Sequence, residues 1–155
     1  MECIINNTKI KYEDGEILSY IKKGRSKNFK WFLLKGNVNN NGYKRIAINK
    51  KRYFYHRVIY KIYNQDWDIH NEPYKNQIDH IDRNKLNNNI NNLRVVSIQQ
   101  NQWNNNCKGY CWDKSKNKWQ SQITIDGEVK YLGCFKKEED ARNTYLAAKK
   151  IYHII

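Results

Sequence analysis

The sequence contains no long hydrophobic run, few cysteines and a single proline. No stretch approaches the roughly 18 to 20 consecutive apolar residues that a membrane span requires. The N-terminus also lacks the charged region followed by a long apolar region that marks a secretory signal. Four unevenly placed cysteines in 155 residues are too few for a disulfide framework. We therefore expect a soluble, intracellular protein with reduced thiols, which is neither secreted nor membrane-spanning.

Basic residues, in contrast, are abundant. The chain has 29 Lys and Arg against 15 Asp and Glu, a formal net charge of +14, and an aromatic content of 14% that indicates a folded protein. This combination favours nucleic-acid binding, because each phosphate that a basic side chain neutralises releases counterions. Two other origins of the charge stay open, namely solubility alone and the Lys-rich codon usage of an A+T-rich genome.

The charge is unevenly distributed along the chain. Residues 1–64 carry 15 basic and 4 acidic side chains, residues 65–106 carry 4 and 5, and residues 107–155 carry 10 and 6. Two basic segments therefore flank a nearly neutral middle that holds a small acidic cluster. A bound cation is one reason for acidic residues inside a protein that binds a polyanion.

Turn signals and hydrophobic periodicity predict strands followed by a helix in the first half of the chain. Asp14-Gly15 and Asn40-Asn41-Gly42 are typical of hairpin turns, and residues 43–48 form a plausible strand. In residues 54–63 apolar side chains recur every three or four positions, which indicates an amphipathic helix of about three turns. A loop that contains Pro73 is expected to follow.

An Asn-rich segment, residues 77–101, carries the side chains that indicate a function. Regularly placed apolar residues distinguish it from a disordered tract, and Asn tolerates tight backbone turns. We predict a strand that ends at Asp79-His80, a tight loop, and a second strand at residues 93–96. Ser97 and Gln100 have the spacing of a capping box, which predicts that a helix begins there.

These elements form one unit of strand, loop, strand and helix. It contains Asp79-His80, Asn92 and Asn101. The unit resembles the HNH, or ββα-metal, nucleases, in particular the phage and intron homing branch. The pattern of that branch is close to Asp-His-Ile-Asp-Gly-Asn-Lys-x-Asn-Asn, followed by Asn-Leu-Arg and by an Asn-containing helix. The resemblance covers about residues 43–105 and includes the pair His56-Arg57 in the preceding helix.

The resemblance implies hydrolysis of a phosphodiester bond. His80 is implied as the general base, because a neutral imidazole can take a proton from water near neutral pH. Asp79 and the amide oxygen of Asn101 are implied as ligands of Mg²⁺ (or Mn²⁺), with one ion per active site. Asn92 is implied to fasten the loop and so to orient the base. Without Asn92 and Asn101 at these spacings, Asp79-His80 would be taken for an ordinary surface dipeptide.

Three neighbouring positions keep alternative roles. His56 can contact phosphate or support the helix, but it can equally be a packed, hydrogen-bonded structural histidine. Asp82 is expected to stabilise the loop rather than to assist the metal ligands. Arg83 stands where the homing branch has Gly, so the turn of the loop can differ from the family pattern.

Residues 107–155 have the pattern of three strands and a helix. In residues 118–125 the apolar Trp119, Ile123 and Ile125 alternate with the polar Lys118, Gln120, Gln122 and Thr124. Asp126-Gly127 is a strong hairpin signal. Acidic residues 138–140 and the basic pair Lys149-Lys150 suit the two ends of a helix. The inward stripe of this helix is predicted to be Ala141, Tyr145, Ala148 and Tyr152.

This module resembles the AP2 DNA-binding domain, with Leu132-Gly133-Cys134-Phe135 before the acidic start of the helix. That family reads the major groove with the polar face of its sheet, but this chain lacks several of the family's Arg residues, so no base preference is inherited. Glutamine can pair with adenine, whereas Lys118 and Lys130 would hold phosphates. A polar face that is merely solvated is the alternative. The candidate DNA-contacting residues are His56, Arg57, Lys108, Lys114, Lys118, Gln120, Gln122, Thr124, Lys130 and Tyr131.

The three cysteines of this module, Cys107, Cys111 and Cys134, are expected to be core thiols. A zinc site is the alternative, but the spacing is unusual and a fourth ligand is not evident.

The predicted fold is α+β, with a small β-rich N-terminal region (1–52), a ββα-metal HNH nuclease core (53–106) and an AP2-like three-stranded antiparallel sheet plus helix (107–155). The predicted function is that of a homing-type, metal-dependent endonuclease that nicks double-stranded DNA at a specific site. We expect it to work in a compartment that contains DNA, without binding a membrane and without an obligatory protein partner. Double-strand cutting would require a dimer or two successive events. One alternative is a non-catalytic DNA-binding regulatory protein, against which the intact site residues argue. Another is an RNA-binding protein, disfavoured because A-form RNA hides its major groove.

Overall fold

The computed structural model describes residues 1–70, 77–105 and 107–154. Within these residues the chain is a mixed α+β protein with four small sheets and three α-helices. It divides into two compact units, Met1–Val95 and Val96–Ile155. The three-part division derived from the sequence stays a prediction, and the expected loop around Pro73 lies outside the described residues. None of the described helices is long and apolar enough to cross a membrane.

An antiparallel four-stranded sheet begins the first unit. Its strands, in spatial order, are β1 (Glu2–Ile5), β2 (Thr8–Glu13), β3 (Glu16–Ile21) and β4 (Lys30–Leu33). The predicted hairpin at Asp14 and Gly15 is confirmed, with φ angles of 50° and 81° that suit a tight turn between twisted strands. Ile10 and Ile17 are fully buried on one face of this sheet, which is its core side.

A second sheet leads into the first helix. It consists of β5 (Asn37–Val38), β6 (Lys44–Ile48) and β7 (Lys51–Phe54), and α1 (Tyr55–Tyr63) follows directly. The strand and the helix predicted for residues 43–48 and 54–63 are confirmed to within one residue at each end. Val58, Ile59 and Ile62 of α1 are buried in one cluster with Ile46 and Ile48, as the apolar periodicity requires.

A two-stranded sheet positions the predicted site residues. It pairs β8 (Gln77–His80) with β9 (Leu93–Val96), and a short 3-10 turn at Ile90–Asn92 precedes β9. The next helix, α2, spans Ile98–Trp103. Its predicted capping box is confirmed, since Gln100 N–H donates to the Ser97 hydroxyl at 3.1 Å and Ser97 N–H donates to Gln100 Oε1 at 3.0 Å.

The rest of the second unit is a sheet with one helix. The strands β10 (Tyr110–Asp113), β11 (Lys118–Ile125) and β12 (Glu128–Phe135) are antiparallel in that order, and α3 spans Glu138–Tyr152. The hairpin predicted at Asp126-Gly127 is confirmed, with φ angles of 51° and 86°. Ala141, Tyr145 and Ala148 are buried as predicted, but Tyr152 is 37% exposed. Its assignment to the inward stripe is wrong. Tyr152 is the last residue of α3, and its ring contacts the Lys130 ammonium, which lies 4.8 Å from the ring centroid.

Two of the three cysteines of this unit are not core thiols. Cys107 and Cys111 are exposed and Cys134 is half-buried, so that expectation is wrong for the first two. Cys107 precedes β10, and Cys111 lies opposite Gln120 on the polar face of the sheet. Among the described residues no group of three or more His, Cys, Asp and Glu side chains is arranged to hold a metal ion.

Candidate active site

The last two residues of β8 are an acid and a histidine that are both buried. Asp79 is 6% exposed and His80 is 4% exposed, although the chain returns to the surface at Ile81, which is 46% exposed. Ile78 anchors the strand in the core of the first unit. Because consecutive side chains of a strand point to opposite faces, Asp79 and His80 contact different sets of neighbours.

Asp79 is held by an arginine of the neighbouring strand. The Nε and Nη2 atoms of Arg94 both donate to Asp79 Oδ2, at 3.0 and 2.9 Å. This charge-assisted pair fixes the orientation of a carboxylate whose side chain is only 7% exposed. Sequence reasoning did not assign a role to Arg94, although the Asn-Leu-Arg pattern contained it. Its partner could be recognised only once the pairing of β8 with β9 was known.

His80 is oriented by an amide of the loop. Asn88 Nδ2 donates to the Leu86 carbonyl at 3.0 Å, which turns its Oδ1 toward His80 Nε2 at 3.2 Å. An amide oxygen can only accept, so the Nε2 atom of His80 carries a proton and donates this bond. Asn88 is a second residue that the sequence analysis did not single out.

His56 packs against His80 in an aromatic cluster. The two imidazole centroids are 5.0 Å apart in an edge-to-face arrangement, and the His56 ring stacks on Phe54 at 5.5 Å. Among the described residues, the buried Nδ1 atom of His56 has no hydrogen-bond partner. Burial, together with smaller contributions from the nearby His80 and Arg57, lowers the pKa of His56 to about 3. His56 is therefore neutral at physiological pH, and its burial fits the packed role among its two alternatives.

Arg57 lies on α1 and is engaged by the segment that follows this helix. Its Nη2 donates to the Ile69 carbonyl at 3.0 Å, and its guanidinium lies 4.8 Å from the centroid of the Trp67 ring. Burial lowers the pKa of Arg57. These contacts fasten the chain beyond α1, and a contact of Arg57 with DNA stays a prediction.

Asp82 and Asn92 fasten the loop that links β8 to β9. Asp82 Oδ2 accepts from Asn87 Nδ2 at 2.6 Å, and Oδ1 accepts from Asn84 N–H at 2.8 Å and from Asn92 Nδ2 at 2.9 Å. These bonds, with that from Asn87 the strongest, lower the pKa of Asp82. Asn92 also donates to the Asn87 carbonyl at 2.8 Å and accepts from Asp82 N–H at 3.0 Å. The two side chains thus join the beginning of the loop to its end.

Arg83 adopts a backbone conformation that favours glycine. Its φ angle is 64°, in the left-handed region, and its N–H donates to the His80 carbonyl at 2.8 Å. The turn therefore forms without glycine, at a conformational cost of about 1 kcal/mol.

Asn101 is the fourth residue of α2, and its N–H donates to the Ser97 carbonyl at 3.0 Å. It belongs to the second compact unit, whereas Asp79 and His80 belong to the first. Its place as the second metal ligand stays a prediction.

Most of the C-terminal candidates share the polar face of β11. Gln120, Gln122 and Thr124 alternate with the buried Ser121 and Ile123, as the sequence pattern predicted. Gln120 Nε2 donates to Gln122 Oε1 at 3.4 Å. Lys118 lies on the same face by its position in the strand, and Tyr131, which is 55% exposed, pairs with Gln122.

Lys130 lies on the opposite face of the sheet. It pairs with the buried Ile123, and its Nζ donates to the Tyr152 hydroxyl at 3.2 Å. The register of β11 and β12 shifts between Ser121 and Gln122, which changes the face to which the residues of β12 point. Lys108 precedes β10 and Lys114 follows it, and both are exposed.

Comparisons with known proteins find a nuclease-family match in the middle of the chain. Residues 53–103 match the family described as HNH endonuclease, so this part of the chain is an HNH endonuclease domain. Protein 3.8 of Escherichia phage T7 is 34% identical over 74 residues, which cover 41% of this chain and 61% of that protein. The chain thus matches about three fifths of the length of this relative. No solved structure matches the chain.

Proposed function

We propose that the chain is a metal-dependent DNA endonuclease of the homing type, which nicks one strand at a specific site. The observation that carries the proposal is the buried pair Asp79-His80 at the end of β8, inside the HNH endonuclease domain. An HNH nuclease domain implies DNA as the substrate, and the net charge of +14 suits a polyanion.

His80 acts as the general base of the proposed reaction. The Asn88 oxygen orients the imidazole through Nε2, and the imidazole takes a proton from the attacking water. The His80 imidazole packs edge-to-face against His56, and the Tyr43 ring lies nearby with its centroid 6.1 Å away. These contacts limit rotation of the imidazole. Asn92 supports this arrangement by fixing the loop rather than by contacting the reacting atoms.

The donor chemistry of the site fits a hard divalent cation. Asp79 and Asn101 offer carboxylate and amide oxygens, and Mg²⁺ is often held by one or two protein groups together with water and substrate phosphate. Arg94 orients the Asp79 carboxylate by bonding Oδ2. Mg²⁺ or Mn²⁺, if bound by these oxygens, would supply polarisation of the scissile phosphate and stabilisation of charge on the leaving oxygen.

The C-terminal sheet is proposed to hold the target DNA in the manner of an AP2 domain. Three antiparallel strands with one helix support this proposal, as does the exposed polar face that carries Gln122, Thr124 and Tyr131. Glutamine side chains on such a face can read adenine, and exposed lysines around it can hold phosphates. Lys130 would contribute least, because it contacts α3 instead.

A supercoiled-plasmid assay tests the proposed function. The purified protein should convert the plasmid to open circles with Mg²⁺ and not with EDTA, because one active site cuts one strand. Asp79→Asn should slow nicking by about 10- to 100-fold or more, since metal affinity falls when a ligand is weakened. Asp66→Asn, at an exposed acid of the same unit, is the matched control. A folded wild-type protein that binds the plasmid but never nicks it would instead be a regulatory DNA-binding protein.

A further inference from the structure

The outer face of the first sheet carries a row of aromatic side chains. Tyr20 of β3 pairs with Lys9 of β2 on one side and with Trp31 of β4 on the other. Ile10 and Ile17, at alternate positions of β2 and β3, are buried on the opposite face. Because successive residues of a strand point to opposite faces, the three cross-strand neighbours lie on the outer face.

Tyr20 contacts one ring on each side, and we call Phe29, Tyr20 and Trp31 the aromatic row. The Tyr20 ring stacks on Phe29 with centroids 5.4 Å apart and lies 5.1 Å from the Trp31 ring. Phe29 is 51% exposed and Tyr20 is 38% exposed. A contiguous patch of exposed rings is more informative than scattered apolar residues, because such patches mark binding sites on soluble proteins.

Lysine ammonium groups lie over the rings of this row. Lys11 and Lys9 lie 4.8 and 5.8 Å from the Trp31 centroid, and Lys22 lies 4.7 Å from the Phe29 centroid. Both lysines of β2 are paired with carboxylates at 2.6 Å, Lys9 with Glu2 and Lys11 with Glu13.

The positive charge is concentrated beside the β3–β4 end of the face. Residues 22–30, which link the two strands and enter β4, contain five basic residues and no acid. They lie within residues 17–65, a stretch with 13 Lys and Arg and no Asp or Glu. A flexible chain that combines negative charges with flat apolar rings could bind here, with its rings on the aromatic row and its charges against this loop.

We propose that the aromatic row binds the bases of an unpaired DNA strand, while residues 22–30 hold its phosphates. Base stacking on aromatic side chains, combined with a positive groove for the backbone, is how proteins bind single strands without reading sequence. The lysines over the rings move to phosphates as bases take their places. A duplex cannot use this face in the same way, because its base faces are already stacked inside the helix.

The positive charge of the face also argues against other binding partners. A second copy of the chain would bring two positively charged faces together, which repel each other. RNA bases stack as well as DNA bases, and DNA is preferred here because residues 53–103 form an HNH endonuclease domain. Strand binding goes beyond the proposed hydrolysis and does not require it.

Fluorescence anisotropy of the full-length protein tests the proposal. EDTA is present throughout, so that a loss of binding cannot be confused with a loss of cleavage. The probe is a fluorescein-labelled oligothymidylate of about 12 nucleotides, within the size range of single-strand sites. Trp31→Ala should weaken its binding about tenfold, and Trp31→Phe should weaken it less, because phenylalanine still stacks. Leu33→Ala, at a 46% exposed apolar residue of the same face, should bind like wild type.

Phe29→Ala provides a second variant that does not alter the β-ladder. Phe29 precedes β4, so its loss should weaken oligothymidylate binding and leave the unfolding temperature close to that of wild type. Binding to a duplex of the same length should be nearly unchanged in both alanine variants. Four results would each overturn the proposal. They are an equal loss of affinity for duplex and single strand, unchanged affinity in a folded alanine variant, tighter binding of oligouridylate than of oligothymidylate, and a dimer of the protein that Trp31→Ala dissociates.

Discussion

Arg94→Met tests the ion pair that holds Asp79 at the end of β8. Two nitrogens of the guanidinium donate to one carboxylate oxygen, and the side chains of Arg94 and Asp79 are 26% and 7% exposed. Methionine keeps much of the aliphatic packing of arginine but removes both donors and the charge. The carboxylate would then stay buried without its cationic partner.

The expected cost follows from the burial of the pair. Breaking a buried ion pair by removing one partner costs about 3–5 kcal/mol. Arg94 is a quarter exposed, so water can replace part of the lost solvation, and we expect a loss of about 2–4 kcal/mol. Asp79→Asn in the Arg94→Met background should recover part of this loss, because a neutral amide needs no cation. The coupling energy in the double-mutant cycle should be about 1–3 kcal/mol.

Urea denaturation followed by tryptophan fluorescence measures these changes. Lys116→Met is the control, because it removes a basic residue from an exposed pair with Asp113, where the side chain of Lys116 is 54% exposed. Its urea midpoint should match that of wild type. The reasoning would be refuted if Arg94→Met also matched wild type, or if its effect and that of Asp79→Asn were simply additive.

Three further predictions concern a close-packed glycine, a buried histidine and a strained loop residue. Gly109→Ala should destabilise the second unit by about 3 kcal/mol or more, because φ is 66° and the new Cβ would lie 2.1 Å from the Tyr145 ring. Gly127→Ala is the control. Its φ is 86° but its Cβ would point into open space, so it should cost about 1 kcal/mol. Comparison of their unfolding temperatures checks this, and equal values would contradict it. The free energy of unfolding of the wild type should fall by up to about 1.4 kcal/mol per pH unit as the pH drops from 6.5, the ordinary His pKa, toward 3. In this range His56 binds a proton in the unfolded chain but not when it is buried in the folded protein. Denaturation of His56→Gln should show a flatter pH dependence, and an equal slope would contradict the burial argument. Arg83→Gly should raise the free energy of unfolding by about 0.5–1 kcal/mol at φ 64°, and a decrease would mean that the arginine side chain outweighs the strain.

Features that depend on neighbouring residues could be predicted from the sequence. The Asp-Gly hairpins, the helix at residues 54–63 and the capping box at Ser97 are local, because each depends on residues a few positions apart. The loop role of Asp82 was expected for the same reason, since Asn-rich segments bond their own backbone.

Features that depend on strand register could not be predicted. Arg94 bonds an acid 15 residues away, and this contact exists only because β8 pairs with β9. Lys130 contacts α3 because the register shift in β12 changes which residues share a face, and no single-strand pattern reveals such a shift. Cys111 is exposed for a related reason, as its position opposite Gln120 places it on the polar face.

The rate of plasmid nicking by His80→Gln tests the central claim most directly. His80 is 4% exposed and oriented by Asn88, so glutamine can occupy its place but cannot take a proton from water. We expect the Mg²⁺-dependent rate to fall by about 100-fold or more at unchanged DNA affinity. His70→Gln, at an exposed histidine, should nick at the wild-type rate. A His80→Gln protein that nicks as fast as wild type would contradict the assignment of the Asp79-His80 pair as the hydrolytic centre.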